Sequence, residues 1–321
     1  ENLLITAPTG SGKTLTAFLM AINQFVTGRL VPGTTRVLYI SPLKALNNDI
    51  ERNLASPLAA LKARFAEAGE PFPAIRVQTR SGDTDPSDRR RMVQHPPEIL
   101  ITTPESLNLL LSSKSGLSML TGLRTVILDE IHDVVASKRG VYLMSAVERL
   151  VPLSGEFQRL ALSATVRPLD VVAHFVGGYQ AGKRGALDQP RAIAIIDASA
   201  DKRYDITIRL PQEVVDRPQD EKIWDSLAAD FVTRIRRNRA TLFFTNSRAL
   251  CEKIAFKINE AAGTTLAWAH HGSLAKEIRL DIEQKLKDGE LAAIVATSTL
   301  EMGIDIGSLD DALNFDVAIG L

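Results

Sequence analysis

The chain is poor in cysteine and in aromatic residues, and its charges cancel. Only one of its 321 residues is a cysteine, Cys251, which excludes an internal disulfide and favours a reducing compartment. Aromatic residues make up 5%, so the core has to consist mainly of aliphatic side chains. The 38 Lys and Arg residues balance the 38 Asp and Glu residues. This balance argues against nucleic-acid binding through bulk positive charge and leaves only local contacts.

Long apolar runs are also missing. None reaches the roughly 18 residues that a membrane helix requires, so we predict no membrane partner. There is no signal peptide, and the sequence begins at Glu1 with a strand-like run rather than with Met. We therefore expect a cytoplasmic protein and a piece of a longer chain. The remaining composition, 45% hydrophobic and 24% charged, is typical of globular proteins.

Short aliphatic runs alternate with longer amphipathic stretches along the whole chain. This alternation predicts an α/β fold with mainly parallel sheets and helices on both faces. Glycine and proline concentrate in residues 177–190, and a second series of runs begins near residue 220. We predict a first domain at residues 1–190, a connecting strand and linker at 191–219, and a second domain at 220–321.

The strongest local motif lies between the first predicted strand and the helix after it. Residues 7–14 read Ala-Pro-Thr-Gly-Ser-Gly-Lys-Thr, with Ala7 where the usual pattern has its first glycine. Glycines let backbone N–H groups approach a phosphate, and the helix N-terminus adds partial positive charge. Lys13 is placed to reach the β- and γ-phosphates, and the Thr14 hydroxyl is a candidate Mg²⁺ ligand. The motif predicts a nucleotide site formed by Thr9, Gly10, Ser11, Gly12, Lys13 and Thr14.

A phosphate loop requires a carboxylate at the end of a neighbouring strand. The aliphatic run at residues 125–128 leads directly into Asp129, Glu130, Ile131 and His132. Asp129 is the candidate that holds Mg²⁺, and Glu130 is the candidate that orients and polarises the attacking water. We therefore predict Lys13, Asp129 and Glu130 as catalytic residues, with Thr14 and Asp129 at the metal. The position of His132 suggests a sensor that links the nucleotide to the other domain.

Further motifs follow in a fixed order. They are Ser-Pro-Leu-Lys-Ala-Leu at 41–46, Arg-Ser-Gly-Asp-Thr at 80–84, Ile-Thr-Thr-Pro-Glu-Ser-Leu at 101–107, Leu-Ser-Ala-Thr-Val-Arg-Pro at 162–168, Phe-Thr-Asn-Ser-Arg at 244–248, His-His-Gly-Ser-Leu at 270–274 and Ala-Thr-Ser-Thr-Leu-Glu-Met-Gly-Ile-Asp-Ile-Gly at 296–307. Together with the phosphate loop and the acid pair, this order resembles the superfamily 2 DEAD/DEAH-box-type helicases. The longer stretches resemble their Lhr (large helicase-related) branch, and the resemblance covers nearly the whole chain.

The resemblance implies two RecA-like (P-loop NTPase) domains, with ATP and Mg²⁺ between them and a nucleic-acid strand across both. The strand is expected to be single-stranded or partly duplex DNA or RNA, held by its backbone rather than by its bases. The residues implied to contact it are Lys44, Arg80, Gly82, Thr103, Glu105, Asn246, Arg248, His271, Gly272 and Thr297. The resemblance also implies that Gly303 and Asp305 face the nucleotide, and that Ser163 and Thr165 act with His132 in coupling.

One family motif is missing from the chain. The closing Gln-x-x-Gly-Arg-x-Gly-Arg pattern is expected soon after Gly307, yet residues 288–321 contain no Lys or Arg. We therefore expect that the sequence is truncated or that its reading frame is altered near the C-terminal end. The leading hypothesis is an ATP-dependent helicase or translocase core, with DNA repair as the family-based process. Two alternatives stay open, namely a catalytically incomplete ATP- and nucleic-acid-binding fragment and the motor subunit of a nuclease complex.

Several prominent residues receive structural interpretations. We expect Trp224 and Trp268 to lie in the core, because they occur in amphipathic and strand patterns. Cys251 is expected to be a packed thiol. The Arg89, Arg90 and Arg91 run is expected to form a solvated helix face rather than a binding patch.

Overall fold

The computed structural model describes residues 1–8, 11–42, 44–164, 166–181, 188–198, 223–297 and 311–315. The chain divides into two compact units, Glu1–Lys202 and Arg203–Leu321. Each unit contains its own sheet and its own buried clusters. No helix in the described ranges combines the length and the apolar character needed to cross a bilayer.

The first unit contains nine strands and eight α-helices within the described ranges. Its strands are β1 Asn2–Thr6, β2 Val37–Ile40, β3 Val77–Arg80, β4 Ile99–Thr102, β5 Thr125–Leu128, β6 Gln158–Ser163, β7 Tyr179–Gln180, β8 Gln189–Pro190 and β9 Ile193–Asp197. Its helices are α1 Lys13–Val26, α2 Lys44–Glu67, α3 Pro86–Gln94, α4 Pro104–Leu111, α5 Lys114–Met119, α6 Lys138–Glu148, α7 Val151–Ser154 and α8 Leu169–Gly177. A 3-10 turn covers Ile131–Asp133.

The main sheet of the first unit is entirely parallel. Its strand order is β3-β4-β2-β5-β6-β1-β9, and β7 and β8 form a separate antiparallel pair. Side chains alternate between the two faces of each strand. Leu38 and Ile40 pack with α3 to α6 and α8, whereas Val37 and Tyr39 pack with α1 and α2. Because both faces are covered, the inner strands β2, β4 and β5 are almost continuously apolar.

The second unit repeats this arrangement on a smaller scale. Its described elements are the helices α9 Ile223–Ile235, α10 Arg248–Ala262 and α11 Lys276–Lys287, and the strands β10 Thr241–Thr245, β11 Ala267–His270, β12 Ala293–Ala296 and β13 Asp311–Phe315. The sheet order is β11-β12-β10-β13, again entirely parallel. Phe243 faces α9 and α10, and Leu242 faces α11. The predicted fold class, mainly parallel sheets with helices on both faces, is confirmed for both units.

The structure differs from the predicted domain boundary. The first compact unit extends to Lys202, beyond the predicted end at residue 190. The reason is that β9, which lies in the predicted linker, pairs with β1 over five residues as the edge strand of the first sheet. An edge strand buries only part of its surface, so its apolar pattern gives a weaker signal than that of a central strand.

Two of the structural interpretations require correction. Trp268 lies on the edge strand β11 and is 37% exposed, with the Lys285 ammonium 5.7 Å from its ring centre, so it is not a core residue. Arg89 is not fully solvated, because it donates to the carbonyl oxygens of Ser81, Gly82 and Thr84. The packed Cys251 thiol is confirmed, since this side chain is 0% exposed.

Candidate functional site

The turn after β1 places Lys13 at the start of α1. Gly12 precedes the helix in the left-handed region, with φ 85°, where a residue with a side chain would be strained. No heavy atom lies within 4 Å of the place where a Cβ of Gly12 would be, so the turn is open on that side. β1 lies between β6 and β9 in the sheet, which fixes this turn at the carboxyl edge, the side where the parallel strands end.

The Lys13 side chain folds back over its own loop. Its ammonium donates to the carbonyl oxygens of Ala7 at 2.6 Å and of Pro8 at 3.0 Å, and the residue is 8% exposed. A mostly buried cation is stable only when acceptors satisfy its N–H groups, as these two carbonyl oxygens do. The phosphate loop therefore carries a fixed positive charge at the first turn of α1.

Asp129 donates one hydrogen bond from its backbone and accepts three at its carboxylate. Its backbone N–H donates to Ile40 at 2.9 Å, which continues the β2–β5 ladder by one residue. The Thr14 hydroxyl donates to Oδ2 at 3.0 Å, and the Tyr39 hydroxyl donates to the same oxygen. The backbone N–H of Glu130 donates to Oδ1 at 2.8 Å. The predicted metal pair, Thr14 and Asp129, is thus brought together from positions 115 residues apart.

Glu130 has an unusual backbone and an unusual acidity. Its φ is 48°, in the left-handed region. Among the residues that the structure describes, it is the one non-glycine residue with a positive φ. Burial, followed by the charge of Asp129, raises its pKa to about 7, against the opposing effect of Lys13. Its Oε2 is buried and makes no hydrogen bond within the described part of the chain. This carboxyl is therefore poised to exchange a proton near neutral pH.

His132 joins the acid pair to the end of β6. Its Nδ1 accepts from the backbone N–H of Ala164 at 3.3 Å and lies 3.5 Å from the Ser163 hydroxyl. The same Nδ1 lies 3.3 Å from Oε2 of Glu130, and Nε2 lies 3.4 Å from Oδ1 of Asp133. The Ser163 carbonyl accepts from Ala7, so β6 also contacts the phosphate loop. The predicted coupling residues His132 and Ser163 therefore lie together beside the nucleotide motif.

The predicted nucleic-acid residues of the first unit follow β3 and β4. Arg80 ends β3, and its Nη1 is buried without a hydrogen-bond partner in the described ranges. Burial and the charge of Arg89 lower the pKa of Arg80. Gly82 is exposed in the next turn, and its carbonyl accepts from Arg89 at 2.8 Å. Arg89 thus fixes the turn that presents Arg80 and Gly82.

Thr103 lies buried at the start of α4. It is 0% exposed and is the N-cap of α4, where its hydroxyl accepts from the Ser106 N–H at 3.3 Å and contacts the Ser106 hydroxyl. This hydroxyl is buried and engaged in the cap, and the strand contact of Thr103 stays a prediction. Glu105, in the first turn of α4, is exposed and forms a bidentate pair with Arg139, which also donates to the Pro42 carbonyl.

The predicted residues of the second unit gather at the carboxyl edge of its sheet. Asn246 follows β10, His271 and Gly272 follow β11, and Thr297 follows β12. Arg248 begins α10 and donates to the Ser273 hydroxyl at 2.6 Å. The strands are parallel, so these positions end on one side of the sheet.

His271 is held in one orientation. Its Nδ1 accepts from the Ser273 N–H at 3.3 Å, and its Nε2 lies 2.7 Å from Oε1 of Glu252. The neutral ring therefore carries its proton on Nε2 and donates to the carboxylate. The residue is 6% exposed, so it positions the 271–274 turn as well as contributing to the edge.

Part of the prediction falls outside the described residues. These positions are Thr9, Gly10, Thr165, Gly303 and Asp305, together with the side chain of Lys44. Their roles stay predictions.

Sequence reasoning missed three residues of this region, namely Tyr39, Arg89 and Arg139. Tyr39 lies between Leu38 and Ile40 and is 0% exposed, so it resembles any core residue of a buried strand. The available signal was its hydroxyl, because a buried tyrosine O–H usually finds a partner. Arg89 lies on a helix and binds the turn just before that helix, and Arg139 lies on a helix and contacts segments 34 and 97 residues away.

Comparison with known proteins follows the same two units. The family model for DEAD/DEAH box helicases matches residues 1–172, and the model for the helicase conserved C-terminal domain matches residues 223–320. The chain belongs to the DEAD/DEAH box helicase family. The predicted resemblance to superfamily 2 helicases is thereby confirmed.

Relatives from the Lhr branch align with almost the whole chain. The ATP-dependent helicase Lhr-Core of Methanothermobacter thermautotrophicus is 44% identical over 318 residues, which is 97% of this chain and 36% of that protein. The Lhr helicase/probable uracil glycosylase of Mycolicibacterium smegmatis is 40% identical over 345 residues, 97% of this chain and 22% of that protein. The DEAD/DEAH box core described here therefore spans about a third or less of the length of these relatives.

Solved helicase structures share the fold. The Mycobacterium smegmatis helicase Lhr bound to ssDNA and AMP-PNP is 43% identical, with a TM-score of 0.82 over 98% of this chain and 40% of that one. The DEAD-box helicase Mss116 bound to ssRNA and UDP-BeF is 17% identical, with a TM-score of 0.69 over 98% of this chain and 61% of that one, a likeness of fold alone. The prediction of two RecA-like folds is confirmed.

Proposed function

We propose that this chain is the motor core of an ATP-dependent helicase or translocase that acts on single-stranded or partly duplex nucleic acid. The observation that carries the proposal is the contact of the Thr14 hydroxyl with Asp129, beside the buried Lys13 ammonium. These three groups are the minimum set that binds a nucleoside triphosphate with its metal. Thr14 and Asp129 converge from positions 115 residues apart in the sequence.

The residues present fit ATP and Mg²⁺. Gly12 leaves space for a phosphate at the N-terminus of α1, and the Glu130 Oε2 is a buried oxygen without a hydrogen bond in the described ranges. Thr14 and Asp129 offer oxygen ligands, which Mg²⁺ prefers, and this ion commonly takes one or two protein ligands and completes its shell with phosphate and water. When bound, the ion would neutralise charge on the transferred phosphoryl group.

The protein side chains would divide the remaining work. Lys13 binds the phosphate oxygens, Thr14 and Asp129 hold the metal, and Glu130 orients the attacking water. With a pKa of about 7, the Glu130 carboxylate can accept a proton from that water at Oε2. The contacts of His132 and Ser163 with this region support their proposed part in coupling hydrolysis to strand binding.

The strand itself is proposed to lie along the carboxyl edges of both sheets. The proposed contacts are a few guanidinium, side-chain amide and backbone groups rather than a basic surface. They belong to Arg80 and Gly82 on the first unit and to Asn246, Arg248 and Gly272 on the second. The solved Lhr relative is bound to ssDNA, which supports single-stranded DNA as the ligand. A role in DNA repair and a cytoplasmic location stay predictions.

The decisive experiment measures ATP turnover with and without single-stranded DNA or RNA. We expect stimulation by at least one polynucleotide. Lys13→Ala is expected to abolish nucleotide binding, whereas Glu130→Gln keeps binding and loses about 10²–10⁴-fold in turnover, the usual contribution of a general base.

Matched controls are available on α2, where the Lys62 and Glu67 side chains are exposed. Lys62→Ala and Glu67→Gln should behave as wild type. Normal turnover in both site variants would contradict the site assignment. ATP and strand binding with turnover near background would instead favour the catalytically incomplete fragment.

A further inference from the structure

Tyr39 is the one described tyrosine whose hydroxyl reaches the acid pair. In the register of β2 with β5, Tyr39 lies opposite Ile127, two residues before Asp129. Residues two apart on a strand share a face, so Tyr39 and Asp129 are diagonal neighbours across the pair of strands. An aromatic side chain spans that diagonal, and the Tyr39 hydroxyl donates to Oδ2 of Asp129.

The position of the ring does not depend on the hydroxyl. Tyr39 is fully buried, and its ring stacks on Phe18 of α1 with centroids 5.0 Å apart and an interplanar angle of 25°. A phenylalanine would pack in the same way. The hydroxyl therefore adds polar contacts with Asp129 and Thr14 to an otherwise aliphatic and aromatic layer.

The Tyr39 contact is the third hydrogen bond that holds the Asp129 carboxylate in one orientation. The Glu130 N–H holds Oδ1, and the Thr14 hydroxyl shares Oδ2 with Tyr39. Thr14 is itself a proposed metal ligand, and its side chain is set by the first turn of α1. Tyr39 is the donor to Oδ2 that comes from the sheet rather than from the phosphate-binding turn.

We propose that Tyr39 is a positioning residue that sets the Mg²⁺ affinity of the nucleotide site by fixing the Asp129 carboxylate. The inference rests on the proposed function, since it concerns the same site. Hydrogen bonds to metal-ligating carboxylates orient the ligand and tune its basicity. Loss of such a partner costs about 10–100-fold in metal affinity or activity.

The test compares Tyr39→Phe with the same substitution at Tyr142, which lies on α6 and is 47% exposed. A fluorescent ATP analogue is bound to each protein, first in EDTA and then with increasing Mg²⁺. We expect unchanged affinity in EDTA for all three proteins and an Mg²⁺ midpoint about 10-fold higher for Tyr39→Phe alone. Equal midpoints in wild type and Tyr39→Phe would overturn the proposal.

A second variant separates positioning from packing. Phe18→Leu loosens the ring stack but leaves the Tyr39 hydroxyl, so it should lower the melting temperature and keep the Mg²⁺ midpoint within about twofold. If the midpoint followed the melting temperature in both variants, or if Tyr39→Phe did not fold, the hydroxyl would be a requirement of the core and the proposal would be wrong. Wild type without Mg²⁺-dependent nucleotide binding would refute the proposed function itself, which is a distinct result.

Discussion

The two units differ most in the charges that they bury. The first unit buries Lys13, Glu98, Asp129 and Arg159, whereas the buried polar residues in the described part of the second unit are threonines and histidines. Both units use the same parallel scaffold, in which the first strand has a neighbour on each side and is followed by a helix. In the first unit that junction carries Gly12 and Lys13, and in the second it carries Asn246 and Ser247. The scaffold is shared, and the chemistry depends on the loops at the strand ends.

The buried charges of the first unit fall into two groups. Lys13 and Asp129 lie at the carboxyl edge and form the proposed site. Glu98 and Arg159 lie near the starts of β4 and β6, where they hold backbone groups of neighbouring elements. Burying charge is costly, so each of these residues has hydrogen-bond partners, although Nε and Nη2 of Arg159 make no hydrogen bond within the described part of the chain. Substitutions at these residues measure how much the buried charges contribute to the stability of the first unit.

The largest expected effect is on the stability of the first unit. Arg159 is 0% exposed and donates to Glu148 and to the last carbonyl oxygens of α8, on Val176 and Gly177. Arg159→Leu leaves the Val176 carbonyl without this donor and the space of the guanidinium unfilled, and it is expected to lower the free energy of unfolding by about 2–4 kcal/mol. Urea unfolding followed by circular dichroism measures the loss.

The second unit should be unaffected by that change. Both tryptophans of the chain, Trp224 and Trp268, belong to it, so their fluorescence reports its unfolding. Arg64→Leu, on an exposed position of α2, is the matched control. A loss below about 1 kcal/mol for Arg159→Leu would show that the buried arginine is dispensable.

The single thiol gives a second reporter of the second unit. Burial raises the pKa of Cys251 from 9.0 to about 11, and its Sγ contacts the Val295 carbonyl at 2.9 Å. A rise of two units lowers the thiolate fraction at pH 8 by about 100-fold. We expect labelling by an aromatic disulfide reagent to be at least that much slower in the folded protein than in urea. Equal rates would show that the second unit is open.

A smaller effect is expected at Glu98. Burial alone would raise its pKa, but hydrogen bonds from Arg76 and from the Gly33 N–H outweigh burial and lower it. A depressed pKa contributes stability above the unfolded value of about 4.5, and this contribution is lost as the pH falls through the folded value. Glu98→Gln should therefore cost about 1–3 kcal/mol at pH 7 and progressively less in acid. A pH-independent cost would contradict this assignment.

The smallest effect is expected for the equivalent change in the second unit. Glu252 is exposed and accepts from His271, and a glutamine oxygen can accept in its place. Glu252→Gln should change the stability by less than about 0.5 kcal/mol, as measured by urea unfolding at pH 7. If Glu252→Gln cost as much stability as Glu98→Gln, the burial of charge in the first unit would not account for the larger cost expected there.

Sequence reasoning predicts the proposed site where one short segment carries a whole motif. Two local patterns predict this site from their residue types and spacing. They are the turn that ends in Gly12 and Lys13, and the pair Asp129 and Glu130 after a buried strand. Sequence reasoning failed where a role depends on contacts between distant segments. The sequence does not single out Arg139, yet it contacts Glu105 and the Pro42 carbonyl, 34 and 97 residues away. Trp268 has a strand pattern, yet its strand is the edge of the sheet.

The sequence by itself determined that two α/β units follow one another, that the first carries a phosphate loop and an acid pair, and which family they resemble. These features are local, because strand and helix periods and turn residues are written in contiguous segments. The tertiary structure alone decided that Thr14 and Tyr39 meet at one oxygen of Asp129. Strand order and register bring those residues together, and neither is encoded in any single segment of the chain.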